Sequence, residues 1–159
     1  MENSKKVVVF ECGNEEYAIS IENVISIEKD EKITPVPHLP SFMPGITEVR
    51  GELIPVLDFE DILYNRSLTN QEQKLLVLKT DDLTIAVKVK EAKEILDIPL
   101  DQFKEIGLAA YKKTEYFTSV AQVGERLITL IDPSILISSL DGMKQIKDYI
   151  TDLKKQQTV

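Results

Sequence analysis

The sequence has one cysteine, one histidine and no tryptophan. A single cysteine excludes an internal disulfide, so the fold needs no oxidising compartment. Cys12 and His38 together fall short of an ordinary zinc site. One histidine leaves no readable Ser–His–acid arrangement. The glycines are scattered rather than gathered into a phosphate-cradling loop. Basic residues are also scarce, with 19 Lys and Arg against 27 Asp and Glu and a net charge of −8. That balance argues against nucleic acid, whose phosphates want a basic stripe. No apolar run approaches the roughly 18 residues of a membrane span, so no direct membrane insertion is expected. Residues 1–6 are polar and the apolar run 7–10 is only a strand's length, too short for a signal peptide. The expectation is a soluble, cytoplasmic chain without cofactor or metal.

What is present is a β-rich pattern. Hydrophobic residues make up 43% of the 159, too many for a disordered chain and enough for a core. Val7-Val8-Val9-Phe10 reads as a strand, and Tyr17, Ile19 and Ile21 alternate with smaller residues as a half-buried strand does. Ile21, Val24 and Ile27 are then three apart, which fits one helical turn leading into an extended piece. Pro35, Pro37, Pro40 and Pro44 forbid a helix and favour irregular loop. Residues 46–49 and 53–57 form a hairpin about Arg50-Gly51-Glu52, and Asp58 or Phe59 opens a short helix. The polar stretch 65–74 is the best linker candidate. Strands are then expected at 75–78, 83–89 and 95–98, and a second hairpin at 120–131 about Gly124-Glu125-Arg126. Asp132-Pro133 starts a short helix. Asp141 is placed to cap a last helix with Met143, Ile146, Ile150 and Leu153 on one face.

The pattern runs twice. Tyr17-Ala18-Ile19-Ser20-Ile21 matches Ile85-Ala86-Val87-Lys88-Val89 at an offset of 68, and the same offset carries Phe10 to Leu78 and Ile27 to Ile95. Leu53-Ile54-Pro55-Val56-Leu57-Asp58 matches Leu127-Ile128-Thr129-Leu130-Ile131-Asp132 at 74. One unit of about five short strands and a short helix is therefore used twice. Small units of this kind remove exposed edges by closing into barrels. Two barrels packed together would leave a groove between them for a partner.

Little in the chain carries chemistry. Asp58, Glu60 and Asp61 read either as metal or acid–base ligands of a small enzyme or as a capped first helical turn. Asp81-Asp82 reads as a turn, since the strand–helix alternation of a receiver domain is missing. Arg50, at a hairpin tip, is either an ordinary surface charge or a fork directed at a partner's carboxylate or carbonyl. Ile21, Val24 and Ile27 are either core or an exposed apolar ridge for a partner.

The segment Gly45-Ile46-Thr47-Glu48-Val49-Arg50-Gly51-Glu52-Leu53-Ile54-Pro55-Val56-Leu57-Asp58-Phe59 resembles the signature of the CheW-like family, approximately G-x-x-N-L-R-G-x-x-x-P-V-x-D-L. Residues 16–24, Thr34-Pro35-Val36-Pro37 and 124–132 are similar to it as well, so the resemblance spans about 7–138. It implies one CheW-like domain over 1–159, mainly β, built as two intertwined five-stranded SH3-like barrels. The first barrel would take 12–68, the second 7–11 and 74–139, and a C-terminal helix 141–156. It also implies a non-enzymatic adaptor that links the cytoplasmic tips of methyl-accepting chemotaxis receptors to the regulatory domain of the histidine kinase CheA. Recruitment to membrane-associated receptor arrays would follow; the alternative is a scaffold in a non-motility or auxiliary pathway. By position, the resemblance assigns Ile21, Val24 and Ile27, with Val8 nearby, to the kinase. It assigns Arg50, Val87 and Val89 to the receptor. Two departures stand out: Glu48-Val49 replaces the usual Asn-Leu, and Lys90 replaces an acidic residue in the second half.

Overall fold

The computed structural model describes residues 3–29, 32–65, 73–81, 83–105 and 114–157. The strands of the first half are β1 (Ser4–Cys12), β2 (Glu15–Ser20), β3 (Val24–Lys29), β4 (Gly45–Val49) and β5 (Glu52–Asp58), followed by helix α1 (Phe59–Tyr64). A 3-10 turn, Ile21–Asn23, joins β2 to β3. The second half follows with β6 (Lys74–Lys79), β7 (Thr84–Val89), β8 (Glu91–Pro99), β9 (Phe103–Lys104), β10 (Phe117–Val123), β11 (Arg126–Ile131) and α2 (Pro133–Ser139). Helix α3 (Met143–Gln157) closes the chain. Most of the expected linker, and part of the stretch between β9 and β10, lie outside the described residues.

The strands form two sheets, in the orders β8-β1-β2-β11-β10-β9 and β3-β6-β7-β5-β4. The repeat explains both. At the two offsets β1 corresponds to β6, β2 to β7, β3 to β8, β4 to β10 and β5 to β11, and this exchange turns one order into the other. Each sheet therefore takes two strands from one half of the chain and the rest from the other. This corrects the expected division at 12–68 and 74–139. β1 does join the second-half strands, but β2 goes with it, and β6 and β7 cross into the sheet of β3, β4 and β5. The crossing is fixed by pairing: β2 lies parallel to β11, and β7 parallel to β5. Parallel partners cannot be joined by a tight hairpin, so the connection has to cross over.

Each sheet curls over a small apolar core. Val7, Val9, Ala18, Ile98, Ala121, Ile128 and Leu130 fill one. Val49, Ile54, Val56, Leu75, Val77 and Ala86 fill the other. Most are repeat counterparts, such as Val7 and Leu75, Ala18 and Ala86, or Ile128 and Ile54. The first core has contributions from β8 and β9, the two outermost strands of its sheet, so that sheet wraps round. A larger core lies between the sheets, holding Phe10, Tyr17 and Ile19 from one side, Leu57, Leu78 and Val87 from the other, and helical residues from Phe59 to Ile150. Strands buried on both faces read as unbroken apolar runs, as 7–10 and 75–78 do. Tyr17 stacks at 5.9 Å on Phe10 and meets Phe59 edge-on at 5.5 Å.

Both short helices start alike. The Asp58 carboxylate accepts the amides of Glu60 and Asp61, and that of Asp132 accepts those of Ser134 and Ile135. Each satisfies two of the unpaired donors of a first turn. α3 begins at Met143, two residues after Asp141, and buries Met143, Ile146 and Ile150 as the stripe predicts. The Leu153 side chain lies outside the described residues.

Candidate functional site

β3 is an edge strand, bonded to β6 alone. Its residues alternate between half-buried and exposed, so Val24, Ser26 and Glu28 face inward while Ile25 and Ile27 face out. Ile25 is 44% exposed and Ile27 45%, and Ile21 in the preceding turn is 37% exposed. Asn23 donates to the Lys79 carbonyl at 3.2 Å and fixes that turn against the end of β6. An apolar ridge therefore exists, with an altered membership. Val24 packs partly into the shared core rather than crowning the ridge. Ile25, absent from the spacing of three, belongs to it. The missed signal was the period of two, which begins at Val24 and pairs Ile25 with Ile27.

Three of the expected contact residues are corrected by burial. Val8 is 2% exposed, on a strand flanked by β8 and β2. Val87 is 1% exposed and Val89 0%, on the middle strand of its sheet. A side chain closed in by neighbouring strands and by a core offers no surface to a partner. Similarity of position carried these residues over, and position does not report exposure.

Arg50 is where the hairpin reading puts it. β4 and β5 are joined by Arg50 and Gly51 alone, between the paired Val49 and Glu52. Both turn residues have positive φ, 54° and 81°, as the tightest right-twisted hairpin requires. Glycine takes this conformation freely, whereas an arginine there costs about 1 kcal/mol. Arg50 is exposed and has no ion-pair partner among the described residues. The turn does not favour an arginine, so its presence calls for another reason. The preceding Gly45 has a different role. A Cβ there would sit 2.1 Å from the Thr34 carbonyl oxygen, where Thr34 and Ile46 exchange backbone bonds of 2.8 and 2.9 Å. Of the two departures in this hairpin, Glu48 faces solvent and Val49 fills the small core under it.

The counterpart hairpin is built for stability. Arg126 Nε donates to Glu16 at 3.0 Å, and its guanidinium also reaches Glu94 at 2.7 Å. These three residues tie β11, β2 and β8 together. The Arg126 hydrogen bond and charge hold the Glu16 carboxyl below its ordinary value. The matching positions in the five-stranded sheet are Glu52, Thr84 and Ser26, which include no cation to centre such a triad. Lys90 is likewise engaged within the chain, 3.2 Å from Glu11, with Lys93 at 3.6 Å from the same carboxylate.

No helix among the described residues is long and apolar enough to cross a membrane. The CheW-like domain matches residues 6–141. The chain is 28% identical over 137 residues to the chemotaxis protein CheW of Klebsiella aerogenes, covering 85% of this chain and 82% of that one. It is 24% identical over 151 residues to CheW of Bacillus subtilis, covering 93% and 96%. Its fold superposes on the crystal structure of the scaffolding protein TtCheW from Thermoanaerobacter tengcongensis with a TM-score of 0.79 at 24% identity, over 87% of this chain and 95% of that one. With the signature segment in the β4–β5 hairpin and paired sheets of the SH3-like kind, the chain belongs to the CheW-like family.

Proposed function

We propose that the protein is a chemotaxis scaffold that couples methyl-accepting receptors to the histidine kinase CheA, and that it works by binding rather than catalysis. The observation that carries this reading is the ridge of Ile21, Ile25 and Ile27. An exposed row of isoleucines on an edge strand is costly to maintain in water on a chain of net charge −8. Covering the exposed part of Ile25 or Ile27 would gain on the order of 2 kcal/mol apiece. The ridge is the kinase side, meeting the regulatory domain of CheA. Arg50 is the receptor side, with a fork free to take a carboxylate or a backbone carbonyl. Control then follows from differential binding. A receptor that prefers one conformation of the bridged kinase shifts its equilibrium through this protein. Such a scaffold would be cytoplasmic and would join receptor arrays through its partners.

The test is a pull-down from native lysate with the full chain and with Ile27→Asp, read for receptor and kinase peptides. Recovery of both by the full chain, with the kinase lost in the variant, supports the reading. Recovery of neither overturns it. Of the departures Glu48-Val49 and Lys90, Glu48 is the one that faces solvent without a place in a core or an ion pair described above, and the identity of the recovered peptides separates a main adaptor from one of an auxiliary or non-motility pathway.

A further inference from the structure

The β4–β5 hairpin carries two charges that the fold does not use. Glu48 and Arg50 are both exposed, and neither has an ion-pair or hydrogen-bond partner among the described residues. Glu52, on the other limb, differs from them in lining a cleft with Lys79 and Lys147.

The second half of the chain holds a comparison. At the offset of 74, Glu48-Val49-Arg50-Gly51-Glu52 corresponds to Gln122-Val123-Gly124-Glu125-Arg126. That hairpin has the same two-residue connection, between the paired Val123 and Arg126. It places glycine first in the turn, at a φ of 62°, and commits its arginine to Glu16 and Glu94. Its residue at the place of Glu48 is the neutral Gln122. A hairpin of this build therefore needs neither the carboxylate of Glu48 nor the guanidinium of Arg50.

Guarding a sheet edge does not account for Glu48 either. β4 is the last strand of its sheet, and a charge on such a strand discourages pairing with another chain. This edge is already covered. Thr34 exchanges backbone hydrogen bonds with Ile46, and the Thr47 hydroxyl donates to the Lys32 carbonyl at 2.8 Å. Glu48 lies past that cover, two residues from Arg50, where the signature segment has an uncharged asparagine. A partner that brings only a carboxylate to Arg50 brings it toward Glu48 as well, and like charges brought together oppose binding. A partner with a cation beside its acceptor meets both charges favourably.

We infer that Glu48 is a specificity-determining residue: the protein segment that docks on this hairpin carries a lysine or arginine opposite Glu48, beside the carboxylate or carbonyl that takes Arg50. Glu48 acts against acidic segments that an asparagine at the same place would admit. The inference rests on the receptor reading of Arg50 and adds to it the sign of charge that the receptor presents.

The experiment titrates the full chain, Glu48→Asn, Glu48→Lys and Arg50→Ala with cytoplasmic tip fragments of the methyl-accepting receptors of its own organism, by calorimetry at low and at high salt. Urea midpoints of the two Glu48 variants should match that of the unaltered chain, because the side chain faces solvent. For the fragment that binds the unaltered chain best, Glu48→Lys should weaken binding on the order of tenfold and Glu48→Asn about threefold, and high salt should shrink both differences. A Lys→Glu or Arg→Glu reversal in that fragment should restore binding to Glu48→Lys, which a purely structural role of Glu48 would not allow. Unchanged affinity in Glu48→Lys would overturn the inference, and Arg50→Ala then decides separately whether the receptor reading survives. A loss that no reversal restores would overturn it too. Binding of no fragment to the unaltered chain would overturn both.

Discussion

Ile27 on β3 and Ile95 on β8 stand at the same place in the two halves of the repeat, and both are exposed, at 45% and 59%. Ile27 pairs with Leu76 on β6 as Ile95 pairs with Val8 on β1. Val8 and Leu76 are themselves repeat counterparts, so the two edges are built to one plan. They differ in company. Ile27 is flanked by Ile25 and Ile21, whereas β8 places Lys93 and Asp97 at positions two residues to either side of Ile95. The first edge is the apolar ridge, and the second is an isolated isoleucine on a charged strand.

Ile27→Asp should leave the fold intact, because the side chain already faces water. Calorimetry against the kinase regulatory domain should show at least a tenfold loss of affinity. Val24→Asp is a poorer probe, since Val24 packs partly into the shared core. Val87→Asp should be far worse, placing an unpaired carboxylate where only 1% of the residue is exposed, at a cost of about 4 kcal/mol or more. Denaturant unfolding of the three variants should rank them in that order, and a stable Val87→Asp would contradict the burial.

Arg50→Asn should stabilise the protein slightly, by about 0.5 kcal/mol, because asparagine tolerates the left-handed conformation better. The same change should impair receptor-dependent control of the kinase in a reconstituted assay. A thermal melt that rises while coupling falls would separate function from folding at this position. A melt that falls would mean that Arg50 supports the turn.

Gly45→Ala and Gly51→Ala should differ in size and cause. The first drives a methyl into the Thr34 carbonyl and should cost about 3 kcal/mol. The second has open space around it and suffers only its φ of 81°, worth about 1 kcal/mol. Equal losses in urea midpoints would refute this division of roles between the two signature glycines.

The Glu16–Arg126 pair predicts a pH dependence. The folded-state pKa of Glu16 is depressed, with the Arg126 hydrogen bond as the largest cause. Its contribution is therefore complete above the ordinary value of 4.5 and is lost as pH falls below it toward the folded pKa. Because the pair is partly solvated, its worth is about 1 kcal/mol. Urea unfolding of the unaltered chain and of Glu16→Gln should differ by that amount at pH 7 and converge on acidification. A gap that persists unchanged at pH 3 would assign the stabilisation to something other than the charge.

Much of the fold was legible in the sequence, because repeats and turn residues act locally. Asp58 and Asp132 announced their helices, and Arg50-Gly51 announced its hairpin. The exchange of strands was not legible. Alternation in 84–89 shows that β7 has two faces, but not that β5 lies beside it. The ridge was half legible for a related reason. Helical spacing selected Val24 as readily as Ile27, and only the pleat of β3 separates the one turned inward from the one turned out. Val8, Val87 and Val89 misled because likeness of position says nothing of which strands close over a residue.

The exchanged strands bear on how the molecule carries load. Neither half of the chain owns a complete sheet, so a nick between α1 and β6 would leave two fragments that must complement each other to stand. A pull on the β3 edge is passed within a few residues, through the 3-10 turn, to β2 in the opposite sheet. The protein is therefore less a pair of beads than a clasp, in which a force applied at the β3 edge of one sheet is felt in the other.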